Sequence, residues 1–245
     1  SALALQALAA EAGLPDGLFT VLVTDDPAAL GRLFCAHPLI RKLSFTGSTP
    51  IGKILIAQAA ETVKRVSMEL GGNAPFIVFD DADLDAAVEG FMVSKFRNAG
   101  QTCVCANRLL VQDGIYDAFL DKLATRIASL SVGRGDAPGT QIGPLINGAA
   151  VEKVRALVDD ALSQGAKAMV GGAVHNAGPH YYQPTLLSRV TNGMAITSTE
   201  VFGPVAAAIR FTDEGEAVRM ANATPFGLAA YFYARDLGRV WRVME

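Results

Sequence analysis

The residues best suited to do chemistry lie in one stretch, Lys95-Phe96-Arg97-Asn98-Ala99-Gly100-Gln101-Thr102-Cys103-Val104-Cys105-Ala106-Asn107-Arg108. Cys103 follows a Gly-Gln-Thr run where no periodic element is expected, with cationic and amide side chains on both sides. A thiol attacks as thiolate, and nearby cations or clustered backbone N–H groups favour that form. Cys103 is therefore a candidate nucleophile. The alternative is a small buried hydrophobe, the commoner fate of a lone cysteine. Glu69 ends a strand-like run just before Gly71-Gly72-Asn73, where open parallel sheets bind ligands. It could act as a general base tuned by partial burial, or be a solvated strand-end carboxylate. Gly47-Ser48-Thr49-Pro50 joins a strand-like run to a helix start, with Thr49 as a cap. The free N–H groups of such a turn, the helix dipole and the Ser48 hydroxyl suit phosphate, although the full three-glycine dinucleotide fingerprint is lacking.

Composition narrows the classes. The chain has 245 residues, 51% hydrophobic and 18% charged, with formal net charge -3, enough for one large domain or two smaller ones. An acidic balance without a basic run argues against nucleic acid as a partner. No apolar run reaches the length of a membrane span. Three cysteines, two of them as Cys103-Val104-Cys105, do not make a secreted disulfide framework, so a reducing, cytoplasmic setting is expected. His37, His175 and His180 have no metal-ligand spacing with cysteine, so no metal centre is expected, and a Cys–His hydrolase pair has little support. Asp80, Asp81 and Asp83 could gather a cation, but helix capping and solvation explain them more simply.

The elements that must position these residues alternate. The pattern predicts a buried amphipathic helix over 2–12, stopped at Gly13, and a buried strand over 18–23. A helix over 27–36 capped by Asp26, a strand over 42–46, a helix over 51–60 and a strand over 64–70 follow. Next come a strand over 75–79, a helix over 84–96 capped by Asp83, a strand over 108–112 and a helix over 116–130. After an ordered Gly- and Pro-rich loop over 131–148, a helix over 151–164 ends at Gly165. Strands over 168–170, from 183 and over 205–211, a helix to 221 capped by Asp213, a strand over 227–233 and a helix from Asp236 complete the chain. This is an α/β pattern of parallel strands covered by helices.

Four segments occur in order: Phe45-Thr46-Gly47-Ser48-Thr49, Met68-Glu69-Leu70-Gly71-Gly72, Gly100-Gln101-Thr102-Cys103 and Glu200-Val201-Phe202-Gly203-Pro204. Together they resemble the aldehyde dehydrogenase superfamily over essentially the whole chain. The run from Lys95 to Arg108, and Asn73 where the family commonly has lysine, resemble its succinate-semialdehyde dehydrogenases in particular. The resemblance implies part of a Rossmann-like NAD(P)-binding domain over 1–71 and an α/β catalytic domain over 72–245. It implies NADP or NAD as cofactor and a small aldehyde with a distal carboxylate as substrate. Cys103 would form a thiohemiacetal and then a thioester, its N–H helping to hold the oxyanion, and Glu69 would activate the hydrolytic water. Gly47 and Ser48 would meet the cofactor pyrophosphate and Leu70 the nicotinamide. Glu200 would bind the nicotinamide ribose, with Phe202 packing beside it. Arg97 would grip the distal carboxylate, the alternative being a structural arginine tied to carbonyls. Cys105 would be a redox-switch candidate, pairing with Cys103; a buried free thiol is the plain alternative.

The resemblance also implies missing parts. The family's Pro-Trp-Asn segment, its adenosine-reading lysine and a C-terminal extension joining subunits are not found in this sequence. The chain therefore reads as an internal fragment of a homo-oligomeric enzyme, with apolar surface left exposed. The competing expectations are another aldehyde dehydrogenase, such as one acting on glutarate semialdehyde, and a non-enzymatic module.

Overall fold

The computed structural model describes all residues, 1–245, as two compact units, Ser1–Leu70 and Gly71–Glu245. In the first, α1 (Ala2–Glu11) and α2 (Pro27–Ala36) precede β1 (Lys42–Thr46), α3 (Thr49–Ala60) and β2 (Arg65–Glu69). The strands run parallel, Lys42 opposite Arg65 and Thr46 opposite Glu69, with α3 as the crossover. A small core of Cys35, Leu43, Leu55 and Ala59 lies between helices and strands. The Lys64 ammonium donates to the carbonyls of His37 and Ile40, closing the loop before β1.

Two expectations fail here. No residue of α1 is buried, because its alanines and leucines surround the axis instead of forming one stripe. Residues 18–23 form no strand, and Leu18, Leu22 and Val23 are exposed. A strand is a property of a hydrogen-bonded pair, and this apolar run has no partner.

The second unit has β3 (Ala74–Val78), α4 (Leu84–Phe96), β4 (Ala106–Gln112), α5 (Tyr116–Ala128), α6 (Gly148–Ser163) and β5 (Lys167–Val170). Then come β6 (Thr185–Ser188), the single turn α7 (Ala195–Ser198), β7 (Val205–Phe211), α8 (Glu214–Asn222), β8 (Tyr231–Tyr233) and α9 (Leu237–Met244). They build a six-stranded sheet in the order β5-β6-β7-β4-β3-β8, parallel except for the β5–β6 pair. β8 is shorter than the run 227–233 predicts. β3, β4 and β7 are buried almost throughout, as parallel strands covered on both faces must be. Phe91 of α4 meets Phe76 of β3 edge-on at 5.1 Å. The side chains of Asp83, Asn147, Asp213 and Asp236 each accept a backbone N–H at the start of a helix. Asp81 and Asp83 are occupied by Arg239 and Arg235, so capping and ion pairing use this acidic cluster.

One polar side chain crosses the core. Arg108 of β4 is fully buried, and its guanidinium donates to the carbonyls of Asn73, Met220 and Ala221 at 2.6–3.1 Å. Losing it orphans three buried acceptors, so Arg108→Met is expected to cost about 3 kcal/mol or more. Chemical denaturation checks this; a loss below about 1 kcal/mol would contradict it.

Candidate active site

The Cys103 loop joins α4 to β4 and is held in an unusual shape. Asn98, Ala99 and Gly100 all have left-handed backbone, φ 52°, 55° and 75°. Asn98 tolerates this and Gly100 welcomes it, but Ala99 is strained. The strain is offset by local bonds. The Asn98 amide donates to the Gln101 carbonyl, while the Gln101 amide donates to the carbonyls of Asn98 and Pro144 and its oxygen accepts the Ile146 N–H. Gly100 lies directly against the Gly203 carbonyl, leaving no room for a Cβ.

Cys103 follows in a turn closed by the Cys105 N–H on the Thr102 carbonyl, 3.1 Å. It is half-buried, whereas Cys35 and Cys105 are buried; all three thiols are free. The Cys103 N–H has no partner within the chain, so it is available to an oxyanion. Two contacts fix the turn. The Tyr231 hydroxyl donates to the Val104 carbonyl at 2.8 Å, and Gly72 packs so closely on the Cys103 carbonyl that any Cβ there would collide with it.

The same Gly72 N–H donates to Glu200 Oε1 at 3.0 Å, which leaves the second carboxylate oxygen free for another donor. Burial pushes the Glu200 carboxyl above its ordinary value, opposed by the Gly72 N–H and by Lys153 and Lys95. Phe202, two residues on, is exposed with φ 54°, another strained position beside the site. Cys103, Gly72, Glu200 and the 202–203 turn thus share one locality of the second unit.

What sequence reasoning missed is the frame behind them. The Asn107 amide donates to Asn73 Oδ1 (2.6 Å) and to the carbonyls of Ile196 and Thr199, and its oxygen accepts the Val201 N–H (3.0 Å). Asn73 in turn donates to the Thr197 carbonyl and the Thr224 hydroxyl. Glu200 is therefore clamped through both chain neighbours. Amides so close to Cys103 were the available signal.

Arg97 is exposed and makes no hydrogen bond or ion pair within the chain, so the carbonyl-tied alternative does not hold. It lines a cavity of about 550 Å³ with Phe76, Val93, Val104, Tyr231 and Tyr233. Glu89 also lines this cavity, but it is paired with Arg126. Cys105 Sγ lies 3.3 Å from the ammonium of the fully buried Lys95. A wider cavity, about 1220 Å³, lies along Tyr116, Ser188, Arg210 and Arg219 and contains none of the candidate residues.

The first unit holds Gly47, Ser48, Glu69 and Leu70 at the carboxyl ends of β1 and β2. Three details differ from expectation. The Gly47 N–H is not free for phosphate, because it continues the ladder by donating to the Glu69 carbonyl at 3.0 Å. Ser48, not Thr49, is the N-cap, and its hydroxyl makes no capping bond. Glu69 is exposed, not partly buried as the general-base reading expects. Leu70 is half-buried, its methyls lying over Gly52 of α3.

A profile described as the aldehyde dehydrogenase family matches residues 1–245. The chain belongs to the aldehyde dehydrogenase family. It is 59% identical over 245 residues to a 3-sulfolactaldehyde dehydrogenase of Pseudomonas putida, covering all of this chain and 50% of that one. It is 56% identical to the NADP(+) succinate-semialdehyde dehydrogenase of Escherichia coli K12, covering all of this chain and 51% of that one. The crystal structure of succinate-semialdehyde dehydrogenase from Burkholderia pseudomallei superposes with TM-score 0.97 at 55% identity, over 99% of this chain and 50% of that one. The chain thus spans about half the length of the family members it matches. No helix is long and apolar enough to cross a membrane.

The raised Glu200 carboxyl gives a pH prediction. The native state holds this proton more tightly than the unfolded chain, so stability falls as pH rises between the two values. The contribution is complete below the unfolded value of about 4.3 and is lost as pH passes the folded one. Glu200→Gln removes the titration but keeps an acceptor for Gly72. Its stability relative to wild type should therefore improve as pH is raised from about 4 to 7, read by thermal melts at each pH. A difference independent of pH would contradict the assignment.

Proposed function

We propose that the protein from which this chain comes is an NAD(P)-dependent oxidoreductase of aldehydes carrying a distal anion, succinic semialdehyde above all. The unpaired Arg97 guanidinium carries the substrate reading. It stands six residues before Cys103, in an aromatic-lined cavity where it is the only cation and has no carboxylate partner. A short apolar chain ending in carboxylate suits that lining, and a guanidinium takes a carboxylate with two bonds. It would accept a sulfonate as readily, the class of substrate named for the Pseudomonas relative. Glutarate semialdehyde, one methylene longer, is the nearest competitor, since a single methylene separates substrates weakly.

Cys103 attacks the aldehyde carbon, and its free N–H steadies the oxyanion of the thiohemiacetal. A bound nicotinamide supplies acceptance of the hydride lost from that carbon. Glu69 is assigned the water that hydrolyses the resulting thioester, on the family resemblance; its carboxylate is exposed. On the family resemblance, Gly47 and Ser48, whose hydroxyl is unused at the start of α3, are assigned the pyrophosphate, and Glu200, which keeps one carboxylate oxygen, a ribose hydroxyl. Leu70 and Phe202 are assigned the nicotinamide on the same resemblance. This makes residues 1–71 cofactor-binding and 72–245 catalytic. NADP is favoured over NAD by the Escherichia coli relative's name. Three free thiols fit a reducing, cytoplasmic setting, and a homo-oligomer is the assembly the resemblance implies.

The test is reduction of NADP+ and of NAD+ with succinic semialdehyde, beside Cys103→Ala. Aldehyde-dependent reduction that the substitution abolishes is the expected result, and reduction that persists would overturn the role of Cys103. Arg97→Ala should raise KM for succinic semialdehyde about tenfold or more and leave that for a neutral aldehyde nearly unchanged. Equal losses on both would refute the anion-binding role.

A further inference from the structure

Lys95 is fully buried at the end of α4; its ammonium makes no ion pair, and its one hydrogen-bond partner is Cys105, Sγ to Nζ 3.3 Å. A buried ammonium normally finds a carboxylate or several carbonyls. Here a soft, oxidisable sulfur takes that place, and no step proposed for Cys103 uses either group. The two residues stand at the two feet of the loop that carries Arg97 and Cys103. Their chain neighbours Ser94 and Val104 line the cavity of about 550 Å³, and Cys105 keeps 7% of its surface exposed.

We propose that Lys95 and Cys105 form an oxidative modification site, in which peroxide joins Sγ to Nζ through one oxygen atom. One peroxide oxidises the Cys105 thiol by two electrons, giving sulfenic acid and water. Lys95 gives up one proton to solvent. Its amine then loses an N–H to a second peroxide as the sulfenic oxygen bonds to nitrogen, yielding S–O–NH and two waters. The pair is oxidised by four electrons in all, two peroxides are reduced, and the protein gains one oxygen and loses two hydrogens. Four electrons from two dithiols return the thiol, the amine and one water. The bridge staples the feet of the Cys103 loop and occupies the sulfur that a Cys103–Cys105 disulfide would need.

The experiment is peroxide treatment without reductant, followed by intact mass and peptide mapping, on wild type, Cys103→Ser, Cys105→Ser and Lys95→Met. The expected product carries one added oxygen less two hydrogens, links the Lys95 and Cys105 peptides, and reverts with dithiothreitol. It forms in wild type and in C103S, and is absent from C105S and K95M. C103S keeps both partners, so the positive result does not depend on whether K95M folds. Loss of two hydrogens alone, abolished by C103S, would show a disulfide and overturn the proposal. Accumulation of unlinked sulfinic acid on Cys105 would overturn it too.

Discussion

Everything at the candidate site depends on burying three polar side chains with every group paired. Asn73 lies just before β3, Asn107 and Arg108 on the neighbouring β4, each almost wholly excluded from solvent. A buried amide or guanidinium is costly unless its hydrogen bonds are made, and these are made only when the 196–201 segment and the end of α8 sit where they do. The network therefore specifies position as much as it stabilises. It sets the backbone on both sides of Glu200. Glu200 sets the Gly72 amide, and Gly72 packs on the Cys103 carbonyl.

On that frame rests a loop that would not hold its shape alone. Three successive left-handed residues, one of them alanine, cost free energy that the Gln101 bonds and the Gly100–Gly203 contact offset. The result is a half-exposed thiol with an unpaired N–H beside it, on the loop that also carries Arg97. Backbone strain at one residue becomes the placement of a reacting atom a few residues on.

Much of this was legible in the sequence. Largely apolar runs announced β3, most of β4 and β7, and Asp26, Asp83, Asp213 and Asp236 marked helix starts that the backbone uses. Residues 18–23 misled because apolar character shows that a segment can pair, not that a partner exists. The leucines of α1 misled because composition does not fix which face they share. At Gly47 the turn looked like a ring of free donors, but continuation of the strand ladder takes its N–H. Asn73, Asn107, Arg108 and Lys95 were visible only as residue types. The roles of Asn73, Asn107 and Arg108 come from contacts 34 to 151 positions apart, which no local pattern encodes, and that of Lys95 from a contact 10 residues on that only the loop's fold creates.

The central claim is that one thiol of three is set up to react. Cys35 is buried, and burial raises its pKa despite nearby Lys64. Cys105 is buried against Lys95, and Cys103 is the one thiol of the three that is not buried. The most direct test is competitive alkylation of the folded chain with limiting iodoacetamide, the site of modification read by peptide mass mapping at early times. The account predicts Cys103 labelled well ahead of the other two, with succinic semialdehyde protecting it. Equal labelling of all three, or Cys35 or Cys105 first, would contradict it.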